Sequence, residues 1–209
     1  FTQALKEARE FEGTLSILIT SDEEGPAKFG TVEVLAYLKE HGLLPDAVVV
    51  AEPTCETLFG DAIKVGRRGS INGILEVIGK QGHAAYPEKA INPVHQIAPV
   101  LSQIAGAFLD EGDEYFSPSQ IVITDIRAGI ETTNVSPGKL KMMFNVRNST
   151  RTDIDAIRAF IASKMEGMEY TLKLDQSARP FVTDADTMIV RSLSEAIHEI
   201  CGIAPKNST

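Results

Sequence analysis

The chain has 209 residues, of which 43% are hydrophobic and 23% are charged, and its formal net charge is -9. This composition predicts a globular protein with one large domain or two small ones, and the acidic balance excludes a nucleic-acid partner held by electrostatics. The lack of an apolar run of about 18 residues and of a signal-peptide core excludes a membrane partner and predicts a cytoplasmic protein.

The first 66 residues alternate between helix and strand patterns. Apolar residues recur near helical spacing over residues 1–11, and TLSILIT, residues 14–20, has the composition of a strand. A second helix, GTVEVLAYLKEHG, ends at Gly42 and Pro45 and precedes the strand DAVVVAEP, residues 46–53. The unbroken apolar run of that strand is typical of a strand buried on both faces. Together these elements predict an α/β region with a parallel sheet.

Acidic residues follow both predicted strands. Asp22, Glu23 and Glu24 are consecutive, and Glu52 ends the second strand. Because ligands of parallel sheets bind beyond the carboxyl ends of the strands, we expect these acids at one sheet edge. A solvated loop and a helix N-cap with acids in its first turn both explain the run without a ligand. The alternative is a multivalent cation, since zinc accepts carboxylate oxygens and a hydrolase also needs an unligated carboxylate as general base.

Residues 67–181 have a different pattern, in which the elements follow the order βαββαβ. The predicted strands cover residues 73–80, 120–129, 138–150 and 169–176, and the predicted helices cover residues 93–108 and 152–165. This order is that of a ferredoxin-like domain. The turn VSPGKL supplies Pro137 and Gly138 where two antiparallel strands would meet.

Residues 182–209 return to a helical pattern, with an amphipathic helix over residues 189–201 that is closed by Gly202. The ferredoxin-like domain is therefore predicted to be an insertion between residues 1–66 and this final segment. Cys55 and Cys201 lie far apart in the sequence, so we expect no disulfide framework.

Five segments carry a resemblance to a known family: LITSDEEGPAKFGT, AEPT, GDAIKVGRRGS, GKQGHAAYPEKAINPVHQIAPVL and TTNVSPGKLKMMFNVRNST. In this order they resemble the co-catalytic zinc aminoacylase and carboxypeptidase family over nearly the whole chain. Within it, GRRGS, QGHAAYP and NPVHQIAP favour the branch that removes a succinyl group over relatives that deacetylate ornithine or cleave glutamate conjugates.

The resemblance implies both a fold and an activity. The fold is part of a zinc-peptidase-like parallel or mixed-sheet catalytic domain at residues 1–66 and 182–209, with residues 67–181 as an inserted lid and dimerisation domain. The activity is hydrolysis of N-succinyl-LL-2,6-diaminopimelate in the diaminopimelate and lysine pathway. The implied state is a cytoplasmic homodimer with two zinc ions, or cobalt, per subunit.

The resemblance also assigns a catalytic or metal-binding role to four positions. Glu23 would act as general base and acid, taking a proton from the bridging water and delivering it to the departing amine. Glu24 would ligate one zinc ion and Glu52 the other. His83 would reach from the inserted domain into the partner subunit's site and stabilise the oxyanion.

Four further positions would bind substrate. Arg67, Asn134 and Arg147 would hold its carboxylates, the arginines through bidentate hydrogen bonds, and Ser70 would be a further contact. Structural explanations compete with some of these roles, since Arg147 in a strand could form a cross-strand ion pair. Arg67 and its neighbour Arg68 could simply cover the junction between domains.

The histidines also have structural explanations. A lone loop histidine such as His83 is commonly a surface residue. His95 and His198 fall on predicted helices and His41 falls at a helix end, so we interpret these three as packing or helix-dipole partners rather than ligands.

The sequence departs from the family pattern in its metal ligands. A two-zinc site of this kind also needs a His in an H-x-D motif, a bridging Asp and a late His, none of which is found here. Glu24 and Glu52 alone leave each zinc ion with one protein ligand, whereas a catalytic site uses about three. We therefore expect an interior fragment of a longer enzyme that is inactive by itself.

Two other hypotheses remain open. One is a sibling aminoacylase, similar to acetylornithine deacetylase, that removes another acyl group. The other is a non-catalytic module that self-associates through residues 67–181, because an unpaired edge strand invites pairing.

Overall fold

The computed structural model describes residues 6, 12–21 and 28–209. The predicted helix at residues 1–11 is described only at Lys6, which is helical, and Asp22, Glu23 and Glu24 lie outside the described residues. The chain divides into two compact units, Phe1–Ala51 and Glu52–Thr209.

The first unit contains helix α1, Thr31–Glu40, as the sequence predicted. Gly30 precedes the helix, and Gly42 follows it with a φ of 66°, a backbone conformation that glycine adopts without strain. His41 covers the end of the helix: its Nδ1 lies 2.9 Å from the Tyr37 carbonyl oxygen, and its ring stacks on the Tyr37 ring. The interpretation of His41 as a helix-end partner is confirmed.

Two predicted strands of the first region are not formed. Residues 14–20 and 46–53 pair with no strand in the described part of the chain, and Ile19 and Val50 are 87% and 72% exposed. The prediction was wrong because β-propensity describes only how well a side chain fits a half-buried pleated surface. A strand forms only when a neighbouring strand supplies its backbone hydrogen bonds.

The second unit contains a four-stranded antiparallel sheet with two helices. The strands are β3, Ser70–Ile78; β5, Gln120–Ala128; β7, Lys139–Arg147; and β8, Glu169–Ala178. The helices are α2, Pro93–Ile104, and α3, Ile154–Lys164. The spatial order is β5-β7-β3-β8, with every neighbouring pair antiparallel. The ferredoxin-like βαββαβ arrangement is confirmed.

One face of this sheet and the two helices enclose the main core. The central position Leu75 lies opposite Met142 on β7 and Leu172 on β8, which fixes the register of all three strands. The fully buried members of the core come from α2, from α3 and the residue after it, and from β3, β5 and β7: Ile71, Leu75, Val77, Ile97, Ile104, Ile121, Met142, Phe144, Val146, Ile157, Ile161 and Met165. Their alternation along β3 and β7 matches the two-residue period of a sheet with one covered face.

The helices begin at side-chain caps and end earlier than predicted. The Asn92 side chain accepts a hydrogen bond from the Val94 amide at the start of α2, and the Asp153 side chain accepts one from the Ala156 amide at the start of α3. Helix α2 stops at Ile104 rather than at residue 108, since Gly106 has a φ of 74°, outside the helical region.

Short elements on either side of the ferredoxin-like sheet meet each other. Strand β1, Ala62–Lys64, pairs in parallel with β10, Lys206–Ser208, and β2, Gly66–Arg67, pairs antiparallel with β9, Phe181–Val182. Helix α4, Met188–Cys201, ends at Gly202 as predicted. Ile63, Val65 and Val190 form a second small core. The strand at the polar residues 206–208 has no sequence signal and was missed.

No helix within the described ranges is both long and apolar enough to cross a lipid bilayer. Cys55 and Cys201 are both free thiols, as the sequence predicted.

Candidate active site

The two-stranded β4–β6 ribbon brings two of the predicted site residues together. Strand β4, Gly82–His83, pairs antiparallel with β6, Val135–Ser136, so that His83 lies opposite Val135. The Ala84 amide donates a 2.9 Å hydrogen bond to the Asn134 carbonyl oxygen. We use the name β4–β6 ribbon for residues 82–86 and 132–136.

The ribbon arises from the long connection between β5 and β7. These strands pair with each other as predicted, but Pro137 and Gly138 do not form a tight turn between them. Instead the chain runs from Gly129 through β6 before entering β7, and this detour carries Asn134. The ribbon was missed because each of its strands is only two residues long.

His83 is exposed, and its ring is oriented by its own loop. The Ala85 amide donates a 3.1 Å hydrogen bond to His83 Nδ1, and the Tyr86 amide donates a 2.9 Å bond to the His83 carbonyl oxygen. The Tyr86 ring lies 6.1 Å from the imidazole, centroid to centroid, and Lys89 Nζ lies 4.6 Å from the Tyr86 centroid.

An open cleft of about 650 Å³ lies between the ribbon and the start of α2. His83, Thr133 and Ser136 line it from the ribbon, and His95 and Gln96 line it from the helix. His95 is exposed here, which its interpretation as a packing residue did not anticipate. The available signal was the segment NPVHQ, because Asn92 caps the helix and fixes His95 in its first turn.

Three other predicted residues lie at the opposite end of the sheet. Arg67 is exposed on β2 opposite Phe181, and Arg147 is exposed at the end of β7 opposite Gln120. Because β3 spans nine residues from Ser70 to Ile78, this end lies roughly 26 Å from the ribbon end at about 3.3 Å per residue. The sheet therefore separates the predicted residues of the inserted domain into two groups.

The local contacts bear on the structural explanations for these residues. Within the described ranges Arg147 has no ion pair, and its cross-strand neighbour is the neutral Gln120. Ser70 is only 6% exposed, and its Oγ accepts a 3.0 Å hydrogen bond from Asn145 Nδ2. Its carbonyl oxygen accepts one from Ser177 Oγ. Ser70 thus has structural partners that the sequence did not reveal.

Glu52 is exposed and lies in an irregular segment. Two residues later, Thr54 Oγ1 donates a 2.9 Å hydrogen bond to the Ala62 carbonyl oxygen and so ties this segment to β1. No group of three His, Cys, Asp or Glu side chains that could hold a metal ion occurs in residues 6, 12–21 and 28–209. Glu23 and Glu24 lie outside those ranges.

A carboxylate that the sequence reading missed joins two loops beside α3. Asp110 accepts hydrogen bonds from the Gly112 and Ser119 amides and from the Ser149 and Thr152 hydroxyls. Burial raises the pKa of Asp110, but the hydrogen bonds to its ionised form outweigh that effect and leave the pKa well below its usual range. This arrangement stabilises the loops, and its member Ser149 follows the predicted site residue Arg147 by two positions.

Comparison with known proteins identifies the family of the ferredoxin-like domain. Residues 65–169, half of the chain, match the Peptidase dimerisation domain of the M20 peptidases. The chain belongs to this family. Two relatives of this M20 chain carry the name succinyl-diaminopimelate desuccinylase: one from a Sulfurovum species, 64% identical, and one from Nautilia profundicola, 61% identical.

These matches cover different shares of the two proteins that are compared. Both relatives align with all 209 residues, but the M20 chain spans only 57% of the length of each. Among solved structures, an M20 family metallo-carboxypeptidase from Sulfolobus solfataricus superposes with a TM-score of 0.58 at 12% identity. That match covers 70% of this chain and 46% of the other, and at this identity it shows the fold alone.

Proposed function

We propose that this chain is the part of a metal-dependent amidohydrolase that cleaves N-succinyl-LL-2,6-diaminopimelate to succinate and LL-2,6-diaminopimelate. The observation that carries the proposal is the 64% identity to a desuccinylase over all 209 residues. The exposed His83 beside Asn134, on a hydrogen-bonded ribbon, supports it, because an amide hydrolase needs fixed donors for the oxyanion that develops.

In this proposal each residue acts on one part of the amide. Glu23 takes a proton from the attacking water, whose oxygen bonds to the amide carbon, and passes the proton to the nitrogen as the C–N bond breaks. His83 donates a hydrogen bond to the carbonyl oxygen, which carries the negative charge in between. The direct products are a carboxylic acid and an amine, which exchange a proton to become a carboxylate and an ammonium group, so atoms and charge balance.

Substrate binding is assigned to the remaining predicted residues. Arg67 and Arg147 are exposed cations without an ion pair in the described part of the chain, so they are free to bind carboxylates bidentately. Asn134 adds an amide, and Ser70 Oγ, which accepts a hydrogen bond from Asn145, keeps its own hydrogen to donate.

Zinc is proposed for the whole enzyme rather than for the described residues. Glu24 and Glu52 are carboxylates of the kind that ligate zinc, and a bound zinc ion would supply Lewis-acid chemistry. The described residues do not assemble the roughly three protein ligands of a catalytic zinc site. We therefore propose two zinc ions, or cobalt, only in an enzyme that supplies further ligands.

We propose that the active site is shared between two copies. The length of β3, roughly 26 Å, separates the ribbon with His83 and Asn134 from the end with Arg67, Ser70 and Arg147, which is farther than one diaminopimelate amide reaches. A second copy that brings its ribbon to the arginine end would unite both groups around one substrate. The match to a dimerisation domain supports this arrangement.

We also propose that the domain boundaries lie at residues 66/67 and 181/182. The parallel pairing of β1 with β10 and the contact of Ile63 with Val190 support this division. They bring together chain segments from either side of the ferredoxin-like domain, as an insertion requires.

A chimera tests the proposed function. These 209 residues would replace the matching segment of the Sulfurovum desuccinylase, and release of succinate would be measured with zinc present. We expect turnover of N-succinyl-LL-2,6-diaminopimelate, and a loss of about 100-fold or more in kcat for Glu23→Gln. The 209-residue chain assayed alone is expected to be inactive.

Two results would reject this function. A folded chimera that hydrolyses N-acetylornithine faster than the succinyl substrate would identify a sibling aminoacylase. A folded, dimeric chimera with no amidase activity would favour a non-catalytic dimerisation module.

A further inference from the structure

Nδ1 of the His83 ring already accepts a hydrogen bond inside the β4–β6 ribbon. The Ala85 amide donates to Nδ1 across 3.1 Å. Because a backbone N–H is only a donor, the neutral imidazole must leave Nδ1 unprotonated and carry its hydrogen on Nε2. His83 is therefore oriented to donate a hydrogen bond from Nε2.

Oδ1 of Asn134 likewise already accepts a hydrogen bond inside the ribbon. Thr132 Oγ1 donates a 2.8 Å hydrogen bond to Asn134 Oδ1. The other end of the amide, Nδ2, has two hydrogens and no protein partner in the described part of the chain. Since Asn134 is exposed, these two hydrogens are available to a ligand.

Hydrogen bonds between the strands hold both side chains in place. The Ala84 amide bonds to the Asn134 carbonyl oxygen, and Ser136 Oγ donates to the Gly82 carbonyl oxygen at 3.1 Å. At the base of the loop, Lys80 and Ile91 exchange two backbone hydrogen bonds of 2.8 and 2.9 Å. The donors are thus positioned before a ligand arrives, which lowers the cost of binding it.

We propose that the Ala85 amide and the Thr132 hydroxyl are positioning groups that make the β4–β6 ribbon a donor-only element for anionic oxygen. Its ligand class is a carboxylate or an oxyanion, which it binds more tightly than a neutral amide because hydrogen bonds to an ionised oxygen are stronger. The identity of the substrate rests on the proposed desuccinylase function. The hydrogen-bond polarity of the ribbon does not.

The first test measures the tautomer of His83. In the ¹⁵N-labelled 209-residue chain, above the pH where imidazole titrates, the shift difference between Nδ1 and Nε2 reports which nitrogen carries the hydrogen. His83→Gln assigns the signals. We expect the native chain to carry the hydrogen on Nε2. The shift difference should be smaller in Ala85→Pro, which lacks the amide hydrogen at position 85. Ala85→Ser keeps that amide hydrogen and should therefore keep the native shift difference.

The tautomer in the native chain decides the matter even if Ala85→Pro does not fold. A protonated Nδ1 in the native chain would overturn the assignment of His83. An unchanged shift difference in a folded Ala85→Pro variant would overturn the role of the Ala85 amide.

The second test titrates the same labelled chain with sodium succinate, using the Asn134 side-chain N–H signals, and repeats the titration with neutral succinamide. We expect succinate to bind more tightly than succinamide, with the succinate affinity about tenfold lower in Thr132→Val and within about twofold of native in Thr132→Ser. Equal responses to succinate and succinamide, or an unchanged affinity in Thr132→Val, would overturn the proposal. Both tests are independent of turnover, so an inactive chimera would reject the proposed function and leave the ribbon assignment standing.

Discussion

At the residue scale, Asp110 shows how one carboxylate fastens two loops that are distant in sequence. It collects amide donors from its own loop and hydroxyl donors from Ser149 and Thr152, thirty-nine and forty-two residues away. Both hydroxyl residues are buried, at 0% and 3% exposure. Leaving such a buried donor without a partner costs more free energy than one hydrogen bond contributes to stability, because the donor then bonds to neither protein nor water.

The first prediction is that Asp110→Asn lowers the free energy of unfolding by about 1 to 3 kcal/mol at pH 7. The NH2 group of the asparagine would face amide and hydroxyl groups that are themselves donors. The folded pKa of Asp110 lies below its unfolded value. Its contribution is therefore complete above the unfolded pKa of about 4 and is lost as the pH falls through the folded pKa.

Urea unfolding at pH 7 and in steps down to about pH 3 checks this prediction. The variant should lose less stability on acidification than the native chain. Asp186→Asn, which removes the same charge from an exposed side chain without a described hydrogen bond, is the matched control. Equal stability of Asp110→Asn and the native chain would contradict the prediction.

At the element scale, the ferredoxin-like sheet depends on one close approach between neighbouring strands. Gly73 on β3 lies opposite Phe144 on β7, and the Phe144 ring lies directly over the glycine. A Cβ at position 73 would overlap the ring atoms. Phe144 is 2% exposed and belongs to the close-packed core, so the glycine makes room for the aromatic side chain.

The second prediction is that Gly73→Ala destabilises the chain by about 1 to 3 kcal/mol through overpacking. Chemical denaturation provides the measurement. In the double variant with Phe144→Leu the clash is relieved, so the two substitutions should cost less together than the sum of their separate effects. Strict additivity would show that the ring does not limit position 73.

At the scale of the whole molecule, the two edges of the sheet differ in character. Edge strand β5 presents Val122 and Ile126, which are 52% and 43% exposed and lie on opposite faces of the sheet because the register shifts between Ile123 and Asp125. The exposed positions of the other edge strand, β8, are polar: Glu169, Thr171, Lys173, Asp175 and Ser177. An unpaired apolar edge invites association, whereas charged side chains oppose it.

The third prediction is that the chain forms a dimer through residues 67–181, with β5 as the contacting edge. Light scattering coupled to size exclusion should give twice the 22.6 kDa mass of one chain. Ile126→Glu should raise the dimer dissociation constant about tenfold or more. Thr171→Glu, on the opposite edge, should leave it unchanged. A monomer at high concentration would contradict the prediction.

The fourth prediction concerns metal binding by the 209-residue chain. Calorimetric titration should show weak zinc binding at most, because Glu24 and Glu52 do not amount to the roughly three ligands that a catalytic zinc ion requires. The Glu24→Ala variant should therefore titrate like the native chain. Tight binding of two zinc ions that Glu24→Ala abolishes would mean that other residues of this chain complete the site.

The sequence by itself determined the elements whose signals are local. Caps, glycines and apolar periodicity predicted α1, the end of α4 and the βαββαβ order, because the interactions that start and stop a helix lie within a few residues. The resemblance to a known family, carried by short motifs, singled out His83 and Asn134. These features depend on neighbours in the chain, which a single sequence shows directly.

Only the tertiary structure decided which of these elements meet. It placed His83 and Asn134 on one ribbon, moved Arg67, Ser70 and Arg147 to the far end of the sheet, and left residues 14–20 and 46–53 without strand partners in the described part of the chain. Strand pairing and hydrogen bonds such as those of Asp110 join residues distant in sequence. Their energy depends on partners that local propensity does not specify.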